Sequence, residues 1–379
     1  MKIALLTDGI FPYVVGGMQK HSYHLLRQLV KNNHTVYLFH CSESSYDATK
    51  LELFSEKEKK NIHSCLIPFP HKNYFPLHYI YESRDYSKAI YEKLKPLLKD
   101  IDFVFAQGFC AWELLKNKQT GYPPVAIHFH GFEMFQNIPS FKAKLSAYFL
   151  RNAVKENLSL SDYAISYGGA ITSILKELVP AEKIWEIPAG IENSWLTDNI
   201  SPVNGKVKFL FVGRYERRKG IQELNQAIKQ LLPENNFTFD FIGNIPTEYQ
   251  ITSPLLCYHG KLSSEEEIKK IIRTGDVLIC PSYAEGMPNV ILEAMAMGLA
   301  IIATDVGAVS VMVNSENGWL LDGPDPQLIT NAMQQAIKEA GGLTAKKEAS
   351  VIRIKNSFLI DSVTAQLVTR MQQCIAKKK

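Results

Sequence analysis

Residues 279–305 read ICPSYAEGMPNVILEAMAMGLAIIATD. The apolar run Val277 to Cys280 halts at Pro281, and a short loop then presents Glu285 and Gly286. A helical pattern follows from Pro288 to Met297, and Ala300 to Ala303 is apolar again. Proline suits the first position of a helix, where a backbone N–H has no partner in any case. Strand, loop, helix and strand in this order form a βαβ unit, the building block of a parallel sheet with helices on its faces.

The same alternation extends in both directions. Downstream of the Pro- and Gly-bearing break SPVNGK (201–206), strands are expected at Val207–Val212, Phe237–Ile242, Leu255–His259 and Trp319–Leu321. Helices are expected at Gly220–Leu232 and Ser264–Thr274. Upstream, the expected strands are Lys2–Thr7, His34–Phe39, Asp102–Ala106, Val125–His130, Tyr163–Ser166 and Ile184–Ile187. The upstream helices are Gln19–Lys31, Phe141–Asn157 and Gly169–Leu178. The fold class is therefore α/β, with two Rossmann-like domains: 1–200, then 201–356, with a last helix in 357–379 crossing back to the first domain. Parallel sheets bind ligands at the carboxyl ends of their strands, and two such domains facing across a cleft make a deep site.

The chemistry concentrates at two places in the second half. Glu285 leaves a strand, and Glu293 lies eight positions on, between the first and second turns of the following helix. A helix N-terminus offers unpaired N–H groups to a diphosphate, and a carboxylate accepts paired bonds from vicinal hydroxyls. By spacing alone, both glutamates read equally well as solvated charges at a helix start. The second place is FLFVGRYERRKG, residues 209–220. Arg214 follows the strand directly, and Lys219-Gly220 opens the next helix. Fixed cations there would neutralise a departing phosphate without a metal. Arg217 and Arg218 read as solvated basic surface.

These segments resemble the family 4 retaining glycosyltransferases of GT-B fold. The matches run in order: FVGR at Phe211–Arg214, Lys219-Gly220, FIG at Phe241–Gly243, HG at His259-Gly260, DVLICPS at Asp276–Ser282 and EGMPNVILEAMAMG at Glu285–Gly298. The last contains the family's E-x7-E signature. In the first half, Gly16-Gly17 after Phe11-Pro12 resembles the family's glycine loop, and His130-Gly131 resembles its HG position. PAGIE at 188–192 resembles the inter-domain nGID segment, with Ala189 in place of the asparagine.

The resemblance implies retaining transfer of a hexose from a nucleotide sugar, UDP-linked, to a glycan or lipid-linked acceptor in cell-surface polysaccharide synthesis. It implies that Arg214 and Lys219 bind the donor diphosphate and that Glu293 holds the ribose. Glu285 would lie by the donor sugar, with Gly286, Met287, Pro288 and Asn289 contacting sugar hydroxyls or phosphate. Gly16, Gly17, Gly243 and Gly260 would line the donor site, and His130 would approach the sugar. Neither a metal nor a cofactor is required. Whether Glu285 acts as nucleophile or stabiliser is left open; a same-face mechanism, in which the leaving phosphate accepts the acceptor's proton, favours stabiliser.

Other readings share the fold: a sugar phosphorylase, a sugar-nucleotide epimerase, or a GT-B protein that binds without turnover. The presence together of Arg214, Lys219, Glu285 and Glu293 favours turnover. A dinucleotide dehydrogenase is disfavoured, because neither Gly213 nor Gly243 opens a G-x-G-x-x-G turn.

Composition excludes several classes. The 379 residues carry a net charge of only +4, which gives no footprint for nucleic acid. Six cysteines show no C-x-x-C or zinc-ligand spacing and read as reduced thiols of a cytosolic protein. The run MKIALLTDGIF is too short for a signal segment, and no stretch reaches the ~18 apolar residues of a membrane span. The expected location is the cytoplasm, with contact to the inner membrane face. Asp100-Ile101-Asp102 matches the D-x-D pattern of metal-dependent transferases but reads as a helix end leading into a strand. His128, alternating with His130 along the strand, is expected to face away from it. Acceptor contacts are expected on the first domain, in the tyrosine-rich stretch His71–Lys95. The basic and apolar helix Phe141–Lys155 suits either an anionic membrane or a solvated domain face.

Overall fold

A computed structural model describes residues 1–14, 16–42, 51–71, 78–137, 139, 141–262 and 264–378. Lys72 to Leu77 of the tyrosine-rich stretch lie outside the described residues, as do the side chains of Phe141, Lys142 and Ala143.

The chain divides into two compact units. The first comprises Met1–Phe135, Leu145–Gly190 and Ile360–Lys379, and the second Gln136–Lys144 and Ile191–Leu359. The chain thus leaves the first unit at Gly190, ahead of the SPVNGK break, and returns to it at Ile360.

The first unit holds strands β1 (Lys2–Leu6), β2 (Thr35–His40), β3 (Ile62–Leu66), β4 (Phe103–Gln107), β5 (Val125–His128), β6 (Tyr163–Ser166) and β7 (Ile184–Glu186). Every pairing is parallel, in the order β3-β2-β1-β4-β5-β6-β7. Strand order reverses between β1 and β4, which opens a crevice at the carboxyl ends of those strands. The 19-residue helix Ile360–Lys378 completes this unit. Its Val363, Leu367, Met371 and Cys374 join the core formed with Leu25, Leu26 and Leu29 of the helix Gly17–Lys31.

The second unit holds β8 (Val207–Val212), β9 (Phe237–Ile242), β10 (Leu256–Tyr258), β11 (Val277–Cys280), β12 (Ala300–Thr304) and β13 (Gly318–Leu321). They pair in parallel in the order β10-β9-β8-β11-β12-β13. The reversal now lies between β8 and β11. One face packs Phe209, Phe211, Phe237, Phe239 and Phe241 against Leu224 and Ile228 of the helix Ile221–Leu231.

Several elements were not anticipated, the short helices Glu56–Lys59, Trp112–Lys116 and Val309–Met312 among them, and four others show why. β3 is an edge strand with largely exposed residues, so it lacks an apolar run. The helix His78–Leu94 buries Glu82, Ser83, Tyr86 and Ser87, and these polar residues hide its helical period. Pro326–Lys338 carries an ordinary start, with Asp325 accepting from the amides of Gln327 and Leu328. Leu343–Ser357 follows it. Among the described residues no helix is long and apolar enough to cross a membrane. Of the cysteines, Cys41, Cys110, Cys280 and Cys374 are buried, Cys65 is half-buried and Cys257 is exposed.

Candidate functional site

In the second unit, the loops leaving β8 and β11 meet at the point where strand order reverses. Gly220 permits this approach, and Gly307, which follows β12, lets the loop leaving β11 pack against the loop after β12. Gly220 adopts φ +70°, and a Cβ there would lie 1.9 Å from the carbonyl oxygen of Pro281. Gly307, at φ +59°, lies against the carbonyls of Glu285 and Gly286, which a Cβ would meet at 2.2 and 2.4 Å. No L-residue with a side chain fits either place. The Tyr283 amide also donates to the Arg218 carbonyl at 2.7 Å, tying the two loops together.

This packing brings Lys219 and Glu285 into contact. Lys219 Nζ lies 2.5 Å from Glu285 Oε1, and Ser282 Oγ donates to the same oxygen at 2.7 Å. Arg218 reaches Glu285 Oε2 at 3.4 Å and the Ala284 carbonyl at 3.4 Å. Glu285 is only 6% exposed. Burial alone would raise its pKa, but Lys219 and Arg218 outweigh it and hold the carboxyl below its ordinary value. Glu285 is therefore an ionised carboxylate, suited to stabilising positive charge rather than to donating a proton.

The basic run differs from its expected surface role. Arg217 forms a two-pronged pair with Glu223 at 2.6 and 2.9 Å and lies over the Tyr283 ring at 4.8 Å. Arg218 belongs to the Glu285 cluster. The reason is the short 3-10 turn Arg217–Lys219, which aims three consecutive bases in different directions. Arg214, by contrast, has its side chain 80% exposed and pairs with Glu216 at 3.0 Å. Glu216 in turn bonds Arg218 at 2.9 Å, the residue that reaches Glu285.

The other expected residues of this half fall around the same strand ends. Gly243 has φ +141° and packs on the Gly213 carbonyl, which a Cβ would meet at 1.9 Å. The Gly243 amide donates to the Gly260 carbonyl at 2.8 Å, and Gly260 has open space where a side chain would stand. Met287 is buried, and Pro288 is the N-cap of the helix Asn289–Ala296 rather than its first residue. Glu293 lies half-buried on that helix. Sequence reasoning missed Gln136. Its side-chain amide clamps the Glu285 backbone, donating to the carbonyl at 2.6 Å and accepting from the amide at 3.3 Å.

In the first unit, Gly16 is the N-cap of the helix Gly17–Lys31, and a Cβ on Gly16 would meet Gln19 Oε1 at 2.2 Å. His130 stands just beyond β5 with φ +60°. That left-handed turn folds its ring back onto His128, with centroids 4.0 Å apart and planes at 25°. The expected alternation therefore fails here, because the strand ends at His128. His21, on the helix Gly17–Lys31, meets both rings edge-on, at 5.5 and 5.2 Å. All three pKa values are lowered, chiefly by burial, that of His21 to about 4. The rings are neutral at neutral pH. Asp102 accepts the Lys2 amide at 2.7 Å, in keeping with its reading at the start of a strand.

The pattern described as "Glycosyltransferase Family 4" matches residues 15–195, and the pattern "Glycosyl transferases group 1" matches residues 206–339. An uncharacterized glycosyltransferase of Methanocaldococcus jannaschii, MJ1178, is 27% identical over 92% of this chain and 94% of its own. The putative teichuronic acid biosynthesis glycosyltransferase TuaC of Bacillus subtilis is 32% identical over 33% of this chain, a match that spans only 31% of TuaC. HepE of Anabaena, solved in complex with UDP, shares the fold with a TM-score of 0.69 at 16% identity, covering 98% of this chain and 100% of that one.

Proposed function

Because the chain belongs to the family 4 glycosyltransferases of GT-B fold, we propose that it moves a hexose from a nucleotide sugar, UDP-linked, to a glycan or lipid-linked saccharide with retention of configuration. The observation that carries this reading is the convergence of Lys219, Arg218, Ser282 and Glu285 where the second sheet reverses its strand order. Such a crevice receives nucleotides in doubly wound folds. The donor diphosphate takes the two cations, and Lys219 exchanges its carboxylate partner for phosphate oxygen. Glu285, kept ionised, then faces the positive charge that develops at the anomeric carbon. Glu293, on the helix that starts beside the diphosphate, binds the ribose hydroxyls. The cations take the role a metal plays elsewhere, so no metal enters the transfer. UDP bound to HepE, a protein of the same fold, supports the choice of nucleotide, and the TuaC match supports a polysaccharide acceptor.

The test is a thermal-shift screen against UDP, GDP, ADP and their sugar conjugates, since a ligand held only by the native state raises Tm. UDP-sugars should give the largest rise. A Tm that none of them moves, with inorganic phosphate releasing sugar phosphate from a glycan, would favour the phosphorylase.

A membrane-linked acceptor is supported by a second observation. On the helix Phe141–Leu160, Leu145, Tyr148 and Phe149 are 54%, 60% and 42% exposed, beside the exposed Lys144 and Lys155. Apolar residues flanked by bases suit the interface of an anionic bilayer at the inner membrane face. Replacing the three apolar residues by aspartate should abolish sedimentation with vesicles containing phosphatidylglycerol. Unchanged sedimentation would remove membrane contact from the account.

A further inference from the structure

The histidine cluster of the first unit admits two kinds of chemistry. One ring nitrogen from each of His21, His128 and His130 lies within 4.8 Å of the other two. If they present lone pairs, the cluster would hold a divalent transition metal. If they present N–H groups, it would grip an oxygen-bearing ligand. The second possibility requires a particular tautomer, which is set by what each Nδ1 atom bonds.

Tyr167, the residue after β6, places its phenol 2.7 Å from His130 Nδ1. Burial raises the Tyr167 pKa far above the ordinary phenol value, so the proton stays on oxygen. Were the phenol to accept from an Nδ1–H, its own proton would lie buried without an acceptor among the described residues. The Nε2 lone pair of His130, itself buried and unpartnered there, would be a second unmet group. Donation from phenol to Nδ1 leaves only one, the Nε2–H. Leaving a buried polar group unmet forfeits its hydration with no return, so the arrangement with fewer of them is adopted.

We propose that Tyr167 is a positioning residue: by donating to Nδ1 it fixes His130 as the Nε2–H tautomer, a hydrogen-bond donor held for a hydroxyl oxygen of the sugar substrate, and it thereby denies the cluster to metal ions. The left-handed backbone supports this role. Both His130, at φ +60°, and the fully buried Phe132, at φ +50°, occupy a region that side chains seldom adopt. Such strain persists where the surroundings dictate a particular placement. The part concerning sugar rests on the transferase reading; the tautomer does not.

The test combines a spectrum with kinetics. Long-range proton–nitrogen correlation of the full chain labelled with 15N-histidine should show His130 protonated at Nε2 only. Tyr167→Phe should mix the two tautomers. With UDP-glucose as donor, the same variant should lower kcat about tenfold, the worth of one hydrogen bond, and leave donor KM within about twofold. The wild-type spectrum needs no substitution, so a poorly folding variant does not shield the proposal. It is overturned by a wild-type His130 protonated at Nδ1, or by a tautomer indifferent to Tyr167→Phe. One Co2+ bound per chain and lost in His128→Ala would also overturn it, in favour of a metal site. A changed tautomer with unchanged kcat would refute the substrate role. If the wild type turns over no nucleotide sugar while its spectrum is as expected, the transferase reading fails and the tautomer assignment stands.

Discussion

The two sheets reverse strand order in the same way, between β1 and β4 in one and between β8 and β11 in the other, yet they bury different chemistry at those points. In the second unit the buried groups are charged and matched: Glu285 with Lys219 and Arg218. In the first they are neutral and unmatched: His128 with neither ring nitrogen partnered, and His130 with Nε2 unpartnered, among the described residues. A buried charge needs a counter-charge, whereas an imidazole escapes that cost by releasing its proton. The contrast teaches what each place is built to receive. Cations stored against a carboxylate can be handed to an anion, and neutral donors suit an uncharged hydroxyl.

Lys219→Ala attacks the charged side of this comparison and carries the largest expected effect. Turnover should fall more than a hundredfold, on the order of 3 kcal/mol of leaving-group stabilisation. A rate close to wild type would show that the cation does not serve the departing phosphate.

Acid separates the two units next. The pKa values of His21 and His40 are depressed from 6.5 to about 4, and those of His128 and His130 fall well below 6.5, all chiefly by burial. As pH drops below 6.5 the unfolded chain takes up protons that the folded chain refuses, so stability of the first unit is lost from there down to about pH 4. For His21 alone the loss at pH 5 is about 2 kcal/mol. The carboxyl of Glu285 is depressed below its ordinary 4.5, so its contribution is intact at pH 5 and lost only as pH falls further. Hydrogen exchange at pH 7 and pH 5 should show β1, β4 and β5 losing protection before β8 and β11. Equal losses would show that the histidines are not what differs.

Glu293→Ala should weaken binding of UDP and GDP alike about tenfold, near 1.4 kcal/mol, as read by calorimetry. Unchanged affinity would remove its ribose role. The smallest effect is expected from EDTA, which should leave the rate intact. A complete loss restored by manganese would point back to Asp100 and Asp102.

Much of this was legible in sequence, and the exceptions have physical causes. The spacing of Lys219-Gly220 and of Glu285 to Glu293 marked both loops of the second site. The conformation of those loops did not follow from spacing: the turn Arg217–Lys219 sends Arg218 inward to Glu285, against the surface role its charge suggested. Alternation misplaced His128, because the period of two ends with β5 and His130 turns left-handed. Gln136 carried no signal, since its partner Glu285 lies 149 residues away. The helix His78–Leu94 was hidden by its buried serines and glutamate.

The central claim is that Lys219 is held in reserve for a diphosphate. Calorimetric titration of the wild type and Lys219→Ala with UDP and with uridine tests it directly. The account predicts UDP binding weakened at least about tenfold with uridine binding unaltered. UDP affinity equal in the two proteins, or a loss shared by uridine, would contradict it.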